Sequence, residues 1–276
     1  MAANIELQQT NELTYLRGFN NLYHKEHRAW WSTRRWWLNA LLWMVFLGGL
    51  TALMLFGADD EVSNATAAEI TQAGGTVGFI LALGLNIFFE AGVPLLAIGT
   101  VVLAQGAIIG ERQSGVAEWL LSKPVTRRAY VLAKVSANAL AVVSLMVVLP
   151  SLIVYGLLSL RLGATFPVLP FLAAVGIMAL HTLFYLTLTL MLGTIFSSRG
   201  PIVGIALASI LGGGLFGSAI SSLYYVTPWM LPNVAMSTAT GLALPAGLGL
   251  SAVLTTALWC VLFVVVAVKK LEKTEY

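Results

Sequence analysis

Apolar residues fall in six long blocks along this chain, separated by short polar pieces. The blocks cover about 36–56, 77–109, 130–160, 169–196, 202–226 and 248–268. A helix needs about 20 mostly apolar residues to cross a bilayer. The blocks are too long for barrel strands, and lipid leaves the backbone no other way to satisfy its own hydrogen bonds. The pattern therefore predicts an all-α integral membrane protein with six transmembrane helices. The second to fourth blocks exceed the hydrocarbon thickness and are expected to tilt or project beyond it. Pro94 and Pro150 each remove a backbone donor and are expected to kink their helices.

The pieces between the blocks have their own patterns. Residues 1–35 form an arm, and from it into the first block Phe19, Tyr23, Trp30, Trp31, Trp36 and Trp37 are mixed with Lys25, Arg28, Arg34 and Arg35. That mixture predicts an amphipathic interfacial helix, with Trp30 and Trp31 at the headgroups and Arg34 and Arg35 toward anionic lipid. Residues 36–276 then form a single six-helix domain. Between its second and third crossings lies the charged segment 110–129. There Glu111, Gly115, Glu118 and Ser122 share one helical face, while Val116, Trp119 and Leu120 form an apolar one. Pro124 should end this helix, because the residue before a proline avoids the α region. Thr126 is placed to cap the next one. Residues 224–247 are apolar yet broken by Pro228, Pro232 and Pro245, which predicts a re-entrant hairpin on the outer side before the last crossing.

Composition agrees with a membrane setting. Of 276 residues, 58% are hydrophobic and 10% charged, against about 25% charged in soluble domains. The pI near 9.1 does not call for nucleic acid, since the bases flank the apolar blocks. With six crossings, every Lys and Arg except Arg161 falls on or nearest one side. The opposite first loop carries Asp59, Asp60, Glu61 and Glu69. Positive charge marks the cytoplasmic side, so both termini are expected in the cytoplasm and the chain in the inner membrane.

Candidate chemistry is sparse. Cys260 is the only cysteine, and His24 with His27 lacks a third ligand, so no metal site is expected. Ser218 and His181 are the nearest thing to a nucleophile and base, but His181 comes first in the chain, opposite to rhomboid proteases. Glu90, inside the second block, is either an outward-snorkelling carboxylate or a group facing a pathway or a second copy. The chain has no Gly-Lys pair and hence no phosphate loop. Transport driven by ATP would need another chain to supply it.

The stretch IIGERQSGVAEWLLSKPVTRRAYVLAK, residues 108–134, resembles the cytoplasmic loop of ABC type-two exporter permeases. The family pattern is G-E-R-x-x-G, an acidic residue, L-L-S-x-P-V-x-R and a following lysine. It is matched here by Gly110, Glu111, Arg112, Gly115, Glu118, Leu120, Leu121, Ser122, Pro124, Val125, Arg127 and Lys134. Val116 stands where the family has Thr or Ser. The resemblance implies a non-enzymatic permease subunit that pairs with a second copy of itself or a related permease. It implies a separate nucleotide-binding ATPase, with ATP and Mg bound there and no cofactor in this chain. It further implies a coupling helix between the second and third crossings. Glu111, Arg112, Gly115, Glu118, Trp119, Lys123, Pro124, Arg127 and Arg128 would contact the ATPase, and membrane lipids would surround the whole. A lipid-like, amphiphilic, drug or peptide cargo fits the apolar spans. A permease-like anchor that exports nothing and an intramembrane hydrolase are the alternatives.

Overall fold

The computed structural model describes residues 14–57, 64–217 and 219–273, and every regular element among them is helical. In chain order these are α1 (Phe19–Trp31), α2 (Arg35–Gly57), α3 (Ala67–Gln72), α4 (Thr76–Gln113), α5 (Val116–Leu121) and α6 (Arg127–Leu162). They continue as α7 (Val168–Ile195), α8 (Arg199–Phe216), α9 (Leu231–Thr240) and α10 (Leu248–Glu272). Asp59, Asp60, Glu61 and Ser218 lie outside the described residues.

Five helices, α2, α4, α6, α7 and α10, are long and apolar enough to cross a membrane. Their bounds follow the apolar blocks closely. The expected crossing at 202–226 is shorter: α8 ends at Phe216 and gives way to single 3-10 turns at Ser221–Tyr225 and Pro228–Met230. The cause is local. Gly212, Gly213, Gly214 and Gly217 crowd its end, and each costs about 1 kcal/mol relative to Ala inside a helix.

Pro94 and Pro150 both follow a change of helix type. α4 and α6 each contain a widened π turn, Ile87–Ala91 and Val143–Val148, just before Pro94 and Pro150. Each proline withdraws the donor that the carbonyl four residues earlier would use, and the preceding turn re-pairs one residue further on. A third π turn, Met44–Gly48 in α2, has no proline behind it.

α7 is the central helix: 61% of its most apolar stretch is buried, against 17% for α10. The largest core joins Trp43 and Leu47 of α2, Phe88 and Phe89 of α4, Met146 of α6, Phe171 and Met178 of α7 and Met236 of α9. Large apolar side chains left outside, such as Leu250, Leu254 and Leu258 on α10, stand at four-residue spacing. They form a continuous greasy stripe of the kind lipid or a second chain covers.

Several elements meet at one end of the bundle, here called the basic end. Leu22 of α1, Ala129 and Tyr130 of α6, and Ala267 and Leu271 of α10 share one buried cluster. The N-terminal arm and the last helix therefore finish at the same end. α7 finishes there too, because Arg112 reaches its last carbonyls. α10 is 25 residues long, about 37 Å at 1.5 Å per residue, and so must begin at the opposite end. The chain between Arg199 and Leu248 thus makes one net traverse, although α8 is short.

Candidate functional site

Two places collect polar side chains: the basic end, around residues 109–134, and an open cavity between helices.

At the basic end the charged segment is two helical turns rather than one helix. Ile109–Gln113 closes α4, and α5 starts after Gly115, whose φ of 74° is left-handed. Glycine takes that conformation without a side-chain penalty. The break rotates the two halves apart, so Glu111 and Glu118 do not share a face as the spacing alone predicts.

Glu111 turns inward. Its Oε2 accepts from Tyr130 Oη at 2.7 Å and pairs with Lys134 Nζ at 2.9 Å. Its Oε1 pairs with Lys25 of the arm. Lys134 is 2% exposed and also pairs with Glu26 at 2.9 Å. A lysine that buried persists only with partners, and here it has two carboxylates. Burial alone pushes the Lys25 ammonium down, but its hydrogen bond to Glu111 and the charges of Glu26 and Glu111 outweigh that and hold it above the ordinary lysine value. The network ties α1, α4 and α6 together.

Arg112 and Arg127 cap helices. The Arg112 guanidinium donates to the carbonyls of Gly193, Thr194 and Phe196 at 3.1–3.2 Å, the unsatisfied end of α7. Arg127 donates to the carbonyls of Leu271 and Glu272 at the end of α10, and Arg128 pairs with Glu272 at 2.7 Å. A cation at a helix C-terminus also meets the negative end of the dipole. Thr126 caps α6 as the sequence predicts, accepting from Ala129 N at 3.2 Å.

What remains outward is small. Val116, Glu118, Trp119, Lys123 and Pro124 are exposed, with Trp119 at 62%. Lys123 Nζ sits 4.4 Å from the centre of the Trp119 ring, a cation–π contact between two exposed side chains. The arm departs from expectation in one respect. Trp30 is buried, and its Nε1 donates to Asn138 at 3.0 Å. Leu22, Glu26 and Trp30 repeat every four residues, one stripe facing α6. Phe19, Tyr23, His27 and Trp31 stack beside it. Arg34 and Arg35 are exposed, Arg35 lying 4.5 Å over Trp30. Sequence reading passed over Glu26, Tyr130 and Asn138. The signal was Lys134, a charge inside an apolar block that required a partner.

The second place is a cavity of about 220 Å³ between α4, α7, α8 and the stretch leading into α9. Glu90, His181, Tyr185, Trp229 and Asn233 line it. Glu90 lies on the π turn of α4 and accepts from Asn233 Nδ2 at 2.9 Å.

With five helices long and apolar enough to cross a membrane, the chain falls in the class of polytopic membrane proteins. More particularly, the sequence model for "ABC-2 family transporter protein" matches residues 20–275, so the chain belongs to the ABC-2 transporter family. It is the membrane component and not the ATPase, and the family associates with an ABC ATPase subunit. No curated protein matches the chain.

Proposed function

We propose that this chain is the transmembrane permease subunit of an ATP-driven ABC exporter in the cytoplasmic membrane, with six crossings and both termini in the cytoplasm. The net traverse between Arg199 and Leu248 supports counting α8 with the turns after it as the fifth crossing. The distribution of Lys and Arg supports the orientation. A second copy, or a related permease, pairs through the greasy outer faces. Two nucleotide-binding subunits bind ATP and Mg at the cytoplasmic side, and the cargo is a lipid-like, amphiphilic, drug or peptide molecule.

One observation carries the reading: α5 seats Ala117, Leu120 and Leu121 against the tied end and turns its other side outward. Glu111, Arg112 and Arg127 are spent on α1, α6, α7 and α10, whereas Val116, Glu118, Trp119 and Lys123 are unspent. An ATPase that grips α5 pulls on elements already fastened to one another. Its motion reaches two transmembrane helices through the guanidinium of Arg112 and the carboxylate of Glu111. Trp119 is the apolar anchor, and Glu118 and Lys123 set the charge the ATPase must complement.

The test is affinity between the purified permease and its ATPase subunit. Glu118→Ala with Trp119→Ala is expected to weaken association by about tenfold or more and to uncouple ATP turnover from cargo. Unchanged affinity and unchanged coupling would remove α5 from the docking role.

A further inference from the structure

The cavity at Glu90 is placed and built like a ligand site. His181 stands near the middle of α7, a helix of 28 residues, and so about 20 Å from either end at 1.5 Å per residue. Its depth is that of the membrane interior in the orientation above. One wall is the broken segment before α9. Trp229 presses onto α8 where Gly212 and Gly213 leave no side chain; a Cβ there would come within 2.9 Å of the indole. The Trp229 Nε1 donates to Ser209 O at 2.7 Å, which fixes the ring. His181 and Tyr185 lie one turn apart on the facing helix, ring centres 5.0 Å apart.

Two groups in this cavity are underused. Among the described residues Glu90 forms no ion pair, and it accepts a hydrogen bond from Asn233. The N-terminus of α9 lies beside it and supplies about half a positive charge at most, leaving the site negative. His181 is 3% exposed, and its Nδ1 meets no hydrogen-bond partner among the described residues. A buried polar atom left so is unfavourable, because nothing replaces the hydrogen bond it made to water.

We propose that this cavity binds the protonated amine head of an amphiphile. Glu90 supplies the counter-charge, His181 Nδ1 accepts an N–H, and the Trp229 and Tyr185 rings face the cation. An anion would meet the Glu90 carboxylate, and a neutral apolar molecule would leave both polar groups unanswered. Size agrees: the volume of about 220 Å³ exceeds the roughly 150 Å³ that admits benzene but cannot hold a whole lipid. Glu90 is exposed while His181 is buried, so the cavity opens at the carboxylate and a tail can trail outward from it. This goes beyond the export reading, since binding requires neither ATP nor an ATPase.

The experiment is calorimetric titration of the full chain in phosphatidylcholine nanodiscs at neutral pH, with octylammonium, octanol, octanoate and octyltrimethylammonium as probes and empty nanodiscs as the blank. Saturable binding of octylammonium is expected, about tenfold or more tighter than octanol or octanoate. Glu90→Gln should remove that preference and Glu90→Asp should restore most of it. His181→Leu should weaken octylammonium several-fold while leaving octyltrimethylammonium, which has no N–H to give, unchanged. Equal binding of octanol, tighter binding of octanoate, full affinity in Glu90→Gln, or no saturable binding at all, as for a cavity holding water only, would each overturn the proposal. If Glu90→Gln fails to fold, the preference of the unaltered chain among the four probes decides alone.

Discussion

The turn Ile109–Gln113 and the helix α5 are neighbours in one charged loop, yet they do opposite things with their charge. In the first, Glu111 and Arg112 face inward and are saturated: the carboxylate by Lys25, Lys134 and Tyr130, the guanidinium by three carbonyls of α7. In the second, Glu118 and Trp119 point away from the protein, and the nearest partner is the Lys123 ammonium over the indole. One glycine in a left-handed conformation separates the two. Charge density in a sequence therefore does not tell which charges are available to a partner. The balance of burial and internal partners does.

The sharpest way to break this comparison is to remove one member from each side. Glu111→Ala leaves the buried Lys134 with Glu26 as its one carboxylate among the described residues, and withdraws the acceptor at 2.7 Å from the Tyr130 hydroxyl. Removing one partner from a buried ion pair costs about 3–5 kcal/mol, and the lower figure is expected here because Glu26 remains. Trp119→Ala removes an exposed ring and should change unfolding free energy by no more than about 0.5 kcal/mol. Denaturation of the two purified variants measures both. Equal losses would mean that the inward and outward halves are not different in kind.

Arg112 offers a smaller and more local test. Arg112→Met keeps the apolar stem and withdraws the donors to Gly193, Thr194 and Phe196. The expected cost is about 2 kcal/mol, in the range for hydrogen bonds to a charged group. Faster proteolysis should appear in the Ser197–Pro201 turn that follows. Arg112→Lys keeps the charge but not the fork, and should recover only part of the loss. Full recovery by lysine would assign the effect to the helix dipole instead of the hydrogen bonds.

Much of this architecture was legible in the sequence. Period and length placed five long helices within a few residues, because lipid permits little else. Thr126, Pro124 and the two prolines within the helices act through local backbone chemistry and were equally readable. The end of α8 was not, since an apolar count does not register four glycines that weaken the helix from within. Nor was the fate of the charges. Lys134 pairs with Glu26 across 108 positions of sequence, and helical spacing carries no information about contacts that long. Trp30 looks like an interface ring in sequence, because its buried partner Asn138 lies 108 positions away inside α6. The cavity at Glu90 combines side chains from four separated stretches, so only Glu90 itself, and His181 as an odd residue, stood out.

The smallest expected effect tests the arm's hold on the loop. Lys25 is 42% exposed, whereas Lys134 in the same network is 2% exposed. Screening by water limits an ion pair that open to under about 1 kcal/mol. Its pKa is raised in the folded chain from the ordinary 10.5 by Glu111 and Glu26, against the opposing effect of burial. A cation with a raised folded pKa stabilises fully below its unfolded value, and that contribution is lost as pH rises through the folded one. The arm should therefore stay docked across neutral pH and loosen only above about pH 10.5. Trp30 reports on this, because its indole is held by Asn138 and would move toward water as α1 lifts. Lys25→Met should abolish the alkaline step in Trp30 accessibility to a soluble quencher, at the cost of slightly looser docking at neutral pH. If the step survives in Lys25→Met, the alkaline loosening belongs to another group, and the arm rests on Lys134–Glu26 and Trp30–Asn138 without help from Lys25. If it disappears, the inward half of the loop is fastened to the arm by a bond weak enough to open, which the buried Lys134 pair is not.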